Sequence, residues 1–97
     1  MPIKVLPVPN PVSGTKLHLA VQLESDADSL ELKLYTKSMM LIMHSTVYRP
    51  FTTGWNKADY DLPAGISSGL YYVVLTGHLN TGETGNGKTI GKMYYLR

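Results

Sequence analysis

The chain has 97 residues, of which 43% are hydrophobic and 16% are charged, and its formal net charge is +2. This length allows one domain with a single core, and the charge is too small to favour nucleic acid as a partner. The sequence contains no cysteine, which excludes a disulfide framework, a zinc–thiolate site and a thiol nucleophile. No apolar run approaches the length of about 18 residues that a transmembrane helix needs.

The first half of the chain predicts three strands. Leucine and valine alternate with other residues over 15–23, and leucines alternate with polar residues and a tyrosine over 30–35. A period of two is typical of a strand that buries one face. Residues 39–47 are apolar on both faces and predict a third strand of undefined orientation. Residues 49–55 contain Pro50 and Gly54, so we expect a loop there.

The second half predicts further strands separated by turns. Residues 56–62 alternate weakly, and residues 63–69 have the composition of a loop. Residues 70–76 are apolar and aromatic on both faces and predict a central strand. Three glycines in residues 80–88 predict a hairpin loop before a last strand over 89–96. The pattern as a whole predicts an all-β antiparallel sandwich of about seven strands, with no helix.

The prolines near the start predict a separate segment. X-Pro units favour extended backbone, so the proline-rich stretch over 7–11 should be stiff. We therefore expect residues 1–11 to form a lead-in segment and residues 12–97 to form the single domain.

A phosphate-binding pattern, G-x-x-x-x-G-K-[ST], occurs at residues 82–89. Its mechanism requires a strand before the loop and a helix after it, so that backbone N–H groups hold the phosphate. Residues 90–97 contain a glycine and two tyrosines and make a poor helix. We interpret the motif as a glycine-rich hairpin loop, with Asn86-Gly87 as its turn, and expect no nucleotide or other cofactor.

Titratable side chains show no catalytic or metal-binding pattern. The three histidines have no metal-ligand spacing, and we expect His18 to be solvated on the polar face of its strand. Asp26 and Asp28 fit a solvated turn better than a calcium loop. Asp59 and Asp61 share one strand face about 7 Å apart and are more typical of solvent-facing residues than of an acid–base pair. No nucleophile elbow occurs, so we expect no catalytic residues, no metal site and no enzyme activity.

Aromatic residues are the remaining candidates for binding. Tyr71 and Tyr72 are adjacent in a strand, as are Tyr94 and Tyr95, so one ring of each pair should face the core and the other the solvent. A single tryptophan in a short all-β chain is more often part of the core than a ligand platform, and we apply that expectation to Trp55.

Residues 9–11 are Pro-Asn-Pro, residues 69–71 are Gly-Leu-Tyr, and Lys92 and Arg97 lie in the last six residues. Taken in this order, these motifs resemble the C-terminal Ig-like domains of secreted bacterial proteins. That group includes the type IX secretion (Por) C-terminal sorting domain and the Ig-like domain of flagellar hook-capping proteins. The shared features are a Pro-Asn-Pro opening, a strand that ends in tyrosine, a Gly-[Val/Leu]-Tyr central strand and a last strand of the form Lys-[Met/Leu]-x-x-x-[Arg/Lys] at the terminus. The residues that match are Pro9, Asn10, Pro11, Gly69, Tyr71, Lys92 and Arg97.

The resemblance implies an Ig-like sandwich that serves as a non-catalytic C-terminal module of a larger secreted protein. Its partners would be secretion or surface-anchoring machinery, or sister domains of the parent protein. Its location would be outside the cell or at the cell surface. Lys92 and Arg97 would put positive charge on the last strand, where it can serve receptor recognition or protect a sheet edge. The alternative is a carbohydrate-binding, adhesion or scaffold module that uses exposed aromatic residues such as Trp55 or Tyr72.

Overall fold

The computed structural model describes residues 3–7, 12–79 and 86–96. These residues form seven strands. Their bounds are β1 Ile3–Pro7, β2 Lys16–Leu23, β3 Ala27–Thr36, β4 Leu41–Phe51, β5 Gly54–Asp61, β6 Gly69–Leu79 and β7 Asn86–Tyr95. No helix able to cross a membrane occurs in the part of the chain that the structure describes.

The strands form two antiparallel sheets, with the order β1-β2-β5 in one and β4-β3-β6-β7 in the other. The connections β2–β3, β4–β5 and β5–β6 each pass from one sheet to the other. In the constant-type Ig fold, four strands face three. Here β1, β2 and β5 correspond to strands A, B and E, while β4 pairs with β3 in the opposite sheet. The predicted Ig-like sandwich of seven strands is confirmed.

The core lies between the two sheets and is built from the apolar face of each strand. The alternating leucines and valine of β2 and the leucines of β3 are fully buried, as their period of two predicts. β6 contributes Tyr71, Val73 and Leu75, and β7 contributes Met93. None of the buried side-chain polar atoms in the described residues lacks a hydrogen-bond partner.

The start of the chain is part of the sandwich. β1 pairs antiparallel with β2, and Val5 is only 7% exposed in the core. Val12 then forms a parallel bridge with Tyr95 on the other sheet. Its amide donates to the carbonyl of Tyr94 at 2.7 Å, and its own carbonyl accepts from the amide of Leu96 at 2.8 Å. The expected lead-in of residues 1–11 thus contains a strand of the domain, because Val5 brings an apolar side chain to the core.

The loop expected over residues 49–55 is shorter in the structure. β4 continues to Phe51, whose ring is buried, and β5 begins at Gly54. β4 is the outer strand of its sheet, and an edge strand tolerates a proline such as Pro50 because one side of it makes no ladder hydrogen bonds. Burial of Phe51 therefore outweighs the loop signal of the proline.

The last strand starts earlier than predicted. Its position argues against a phosphate-binding site. Gly87, Lys88 and Thr89 lie within β7 and pair with β6. A strand therefore follows the glycine-rich segment in place of the helix that a phosphate site requires. Residues 80–85, which include the first part of the motif, lie outside the described residues.

Candidate functional site

One row of side chains crosses the outer surface of the four-stranded sheet. Tyr35 on β3 lies opposite Leu41 on β4 and opposite Tyr72 on β6, and Tyr72 in turn lies opposite Lys92 on β7. With neighbouring strands about 4.8 Å apart, the four side chains cover about 14 Å. The register therefore brings together residues from four strands that are far apart in the sequence.

Two further apolar side chains extend this row along β7. Tyr94 and Ile90 stand on either side of Lys92 on the same strand face, and they are 51% and 63% exposed. Tyr35 and Tyr72 are half-buried, and Leu41 is 45% exposed. We call these five apolar residues the tyrosine face. Its members are Tyr35, Leu41, Tyr72, Ile90 and Tyr94.

Lys92 lies where the resemblance placed a recognition residue. Its side chain is exposed on the outer side of β7, directly beside Tyr72 in the register. A long cationic side chain can lay its methylene groups along apolar neighbours while its ammonium stays in water. Lys92 thus adds one positive charge to the edge of the tyrosine face.

Tyr71 has a different position, since its ring is buried on the inner side of β6. Its hydroxyl donates a 2.6 Å hydrogen bond to the carbonyl of Ser67, four residues upstream in the β5–β6 connection. A tyrosine near the start of the sixth strand that bonds back to this connection is the tyrosine corner of Ig-like sandwiches. The structure therefore gives Tyr71 a role in holding the corner of the fold.

Gly69 begins β6 in a conformation that favours glycine. Its φ is +152°, and a Cβ atom added there would meet no atom within 4 Å. The requirement for glycine is therefore conformational and does not come from lack of space. Of the other residues carried by the resemblance, Pro9, Asn10, Pro11 and Arg97 lie outside the described residues.

The three-stranded sheet has a polar outer face built from cross-strand pairs. Lys16 and Asp61 form a 2.7 Å ion pair, and His18 Nδ1 lies 2.7 Å from the Asp59 carboxylate. All four side chains are more than half exposed. The hydrogen bond and the charge of Asp61 raise the pKa of Lys16. His18 and the two aspartates were expected to face the solvent, and that prediction is confirmed; the structure adds that each carboxylate has a partner on β2.

A hollow of about 450 Å³ lies next to these pairs. Its lining consists of His18, Leu19, Ala20, Lys57 and Asp59. Ala20 lies opposite Lys57 in the register, so a small side chain stands between longer ones. The hollow follows from this difference in side-chain length.

Trp55 is exposed, so the expectation that it belongs to the core is wrong. It lies on the outer face of β5, opposite Gln22, and 57% of its surface is exposed. The inward positions of that strand are taken by Ala58 and Tyr60, which are buried. Alternation along β5 therefore directs the indole outward.

Asp26 has a structural role in the fold. The Asp26 carboxylate accepts hydrogen bonds from the amide and the hydroxyl of Thr53, at 2.8 and 2.9 Å. It thereby fastens the β2–β3 turn to the β4–β5 turn. Among residues 3–7, 12–79 and 86–96, no group of three histidine, aspartate or glutamate side chains could hold a metal ion.

The sequence interpretation missed Tyr35, Ile90 and Lys57 as surface residues of interest. Tyr35 could have been found, because it continues the polar side of a strand whose leucines all face inward. Ile90 and Lys57 gain their interest from neighbours on other strands, which only the register reveals.

Comparisons with known proteins identified no relative of this chain. No protein-family model, no curated protein and no solved structure matches the chain. The class of protein is therefore defined by its own topology, an Ig-like β-sandwich with three strands facing four.

Proposed function

We propose that this chain is a non-catalytic Ig-like module of a larger secreted bacterial protein, and that it serves in secretion sorting or cell-surface attachment. The observation that supports the proposal is the tyrosine face, an aromatic and apolar surface that crosses all four strands of the four-stranded sheet. Contiguous apolar surface of this kind marks interaction sites, and tyrosine is enriched in protein interfaces. The partner would be sorting or surface-anchoring machinery, or a sister domain of the parent protein.

The composition of the tyrosine face suits a protein partner. Its rings have hydroxyl groups that can hydrogen-bond at a wet rim, and their rigid side chains lose little entropy on binding. Lys92 at the border adds charge that can orient the partner. The resemblance of Gly69, Tyr71 and Lys92 to sorting-domain motifs also supports the proposal.

The experiment is a fusion of residues 1–97 to a periplasmic reporter in a host with type IX secretion. The whole chain is used because β1 contributes to the core. We expect the reporter outside the cell or on its surface, and expect it to stay in the periplasm without the domain. Retention of the intact fusion in the periplasm would contradict the sorting proposal.

The role of the face is tested in the same fusion with Tyr72→Thr and Tyr94→Thr combined. Threonine favours strands, so the substitution removes the rings and keeps the local preference for a strand. The matched control is Tyr48→Thr, because Tyr48 is 82% exposed on β4 at the other end of the sheet. We expect the double variant to be retained and the control to be exported.

A second candidate function is carbohydrate binding, adhesion or scaffolding through exposed aromatic residues. The observation in its favour is the direct pairing of Tyr35 with Tyr72, which places two rings side by side on adjacent strands. If the fusion stays in the periplasm and the purified domain binds glycan-coated or cell surfaces through Tyr72, this candidate replaces sorting.

A further inference from the structure

We propose that the outer face of the three-stranded sheet holds a second binding site, one for a sugar that carries a carboxylate group. The site is the hollow beside His18, Lys57 and Asp59, together with the indole of Trp55. It lies on the opposite sheet from the tyrosine face, and it goes beyond the function proposed above without depending on it.

The size and lining of the hollow suit a small ligand. Its volume of about 450 Å³ falls within the range of roughly 300 to 1,000 Å³ that small-molecule sites occupy. Ala20 supplies apolar surface, and the polar groups are few: one imidazole, one ammonium and one carboxylate. This combination binds molecules that have both apolar and polar sides.

The charges on this face identify what the ligand must carry. Lys16 faces Asp61 and His18 faces Asp59, so each of these two basic groups of β2 has a carboxylate opposite on β5. Lys57 faces Ala20, and no ion pair of its ammonium occurs in the described residues. A carboxylate bound in the hollow would complete the series of pairs, and a charged donor strengthens its hydrogen bonds.

A second positive charge lies close to this position. The guanidinium of Arg49 on β4 donates a hydrogen bond to the backbone carbonyl of Lys57 and lies over the ring of Phe51, 4.1 Å from its centroid. The two carboxylates that follow Lys57 on β5, Asp59 and Asp61, are each paired with a basic side chain of β2. The field at Lys57 therefore favours an anion.

His18 adds a directed polar group. Because a carboxylate only accepts hydrogen bonds, the ring nitrogen Nδ1 of His18 carries the proton that bonds Asp59. The other ring nitrogen, Nε2, is then an acceptor for a sugar hydroxyl in the neutral ring and a donor in the protonated ring. His18, held by Asp59, can therefore hydrogen-bond a hydroxyl group that lies beside the carboxylate of the ligand.

Trp55 provides the apolar platform. It is two residues before Lys57 on the same face of β5, about 7 Å along the strand, and diagonal to Ala20 on β2. One face of a sugar ring consists of C–H groups and stacks on an aromatic ring, while its hydroxyls point sideways to polar neighbours. An exposed indole two residues from Lys57 on the same strand face thus favours an acidic sugar over a simple carboxylate.

The test is a titration of the whole chain with a trisaccharide of galacturonic acid, in which tryptophan fluorescence reports binding. Trp55 is the only tryptophan in the sequence, so the signal reports on this face. The comparison ligands are the neutral trisaccharide of galactose and acetate. We expect the acidic sugar to bind at least about tenfold more tightly than either, as one charged hydrogen bond allows. Equal affinity for the neutral sugar, or no binding, overturns the proposal.

Substitutions locate the site. Lys57→Gln should weaken binding of the acidic trisaccharide about tenfold, and Trp55→Thr should weaken it too, measured by calorimetry because the fluorophore is lost. The matched control is Lys16→Gln, since Lys16 lies on the same face but is paired with Asp61. Unchanged affinity in Lys57→Gln overturns the proposal. The Tyr72→Thr/Tyr94→Thr variant should bind normally, which separates this site from the function of the tyrosine face.

Discussion

The hydroxyl of Tyr60, on β5 of the three-stranded sheet, donates a 2.8 Å hydrogen bond to the backbone carbonyl of Leu30, on β3 of the opposite sheet. Both residues are buried, with 3% and 0% of their surfaces exposed. The bond joins the sheets through the core and satisfies a polar hydroxyl that burial would otherwise leave unpaired. It therefore fixes how one sheet lies on the other at this point.

Tyr60→Phe should lower the free energy of unfolding by about 1–2 kcal/mol. The substitution keeps the ring and removes a buried hydrogen bond, whose loss costs that amount. Urea denaturation, monitored by tryptophan fluorescence, measures this change in the free energy of unfolding. The control is Tyr48→Phe, an exposed position where we expect a change within about 0.5 kcal/mol. Equal stability of the two variants would contradict this role of Tyr60.

Alkaline pH should weaken the fold through the same residue. Burial raises the pKa of Tyr60 above its ordinary value of 10.0. The contribution of Tyr60 to the free energy of unfolding is therefore complete below pH 10. It falls above pH 10, because the tyrosine hydroxyl then loses its proton more readily in the unfolded chain than in the folded one. The stability advantage of the wild type over Tyr60→Phe should shrink as the pH rises above 10. Denaturation curves at pH 8 and pH 10.5 test this, and a constant difference would refute it.

Tyr71→Phe should destabilise the domain by about 1 kcal/mol, because it removes the bond from the hydroxyl to the Ser67 carbonyl. Measuring both the stability and the export of the Tyr71→Phe variant separates a structural role of Tyr71 from a role in recognition. We expect a lower urea midpoint and normal export of the folded fraction. An unchanged midpoint with lost export would show that Tyr71 contacts the partner.

Val5→Ala should lower the free energy of unfolding by about 1–3 kcal/mol, since two methyl-sized groups leave the core. Lys4→Ala is the control, because Lys4 is exposed on the same strand and should change stability by less than about 0.5 kcal/mol. If Val5→Ala were as stable as the wild type, residues 3–7 would be a linker.

The strand faces could be predicted from local sequence because alternation depends on neighbours within one strand. The leucines of β2 and β3 face the core as predicted, and the two tyrosine pairs divide as predicted: Tyr71 and Tyr95 pack inward while Tyr72 and Tyr94 face outward. These assignments need only the period of two, which the backbone imposes on every strand.

The surfaces could not be predicted because they depend on which strands become neighbours. The row that contains Tyr35 and Tyr72 joins residues 37 positions apart, and a shift in register by one residue would separate them. β1 was missed because its strand is short and prolines follow it. Trp55 was placed in the core on composition, whereas the pairing of β5 with β2 directs it outward.

The export of reporter fusions that differ only in the tyrosine face tests the central claim most directly. The Tyr72→Thr/Tyr94→Thr variant and the Tyr48→Thr control are compared with the wild type in one type IX-competent host, and the urea midpoint of each purified protein is measured alongside. We expect folded protein in all three and loss of export in the double variant alone. Export of the folded double variant at the wild-type level would contradict the account.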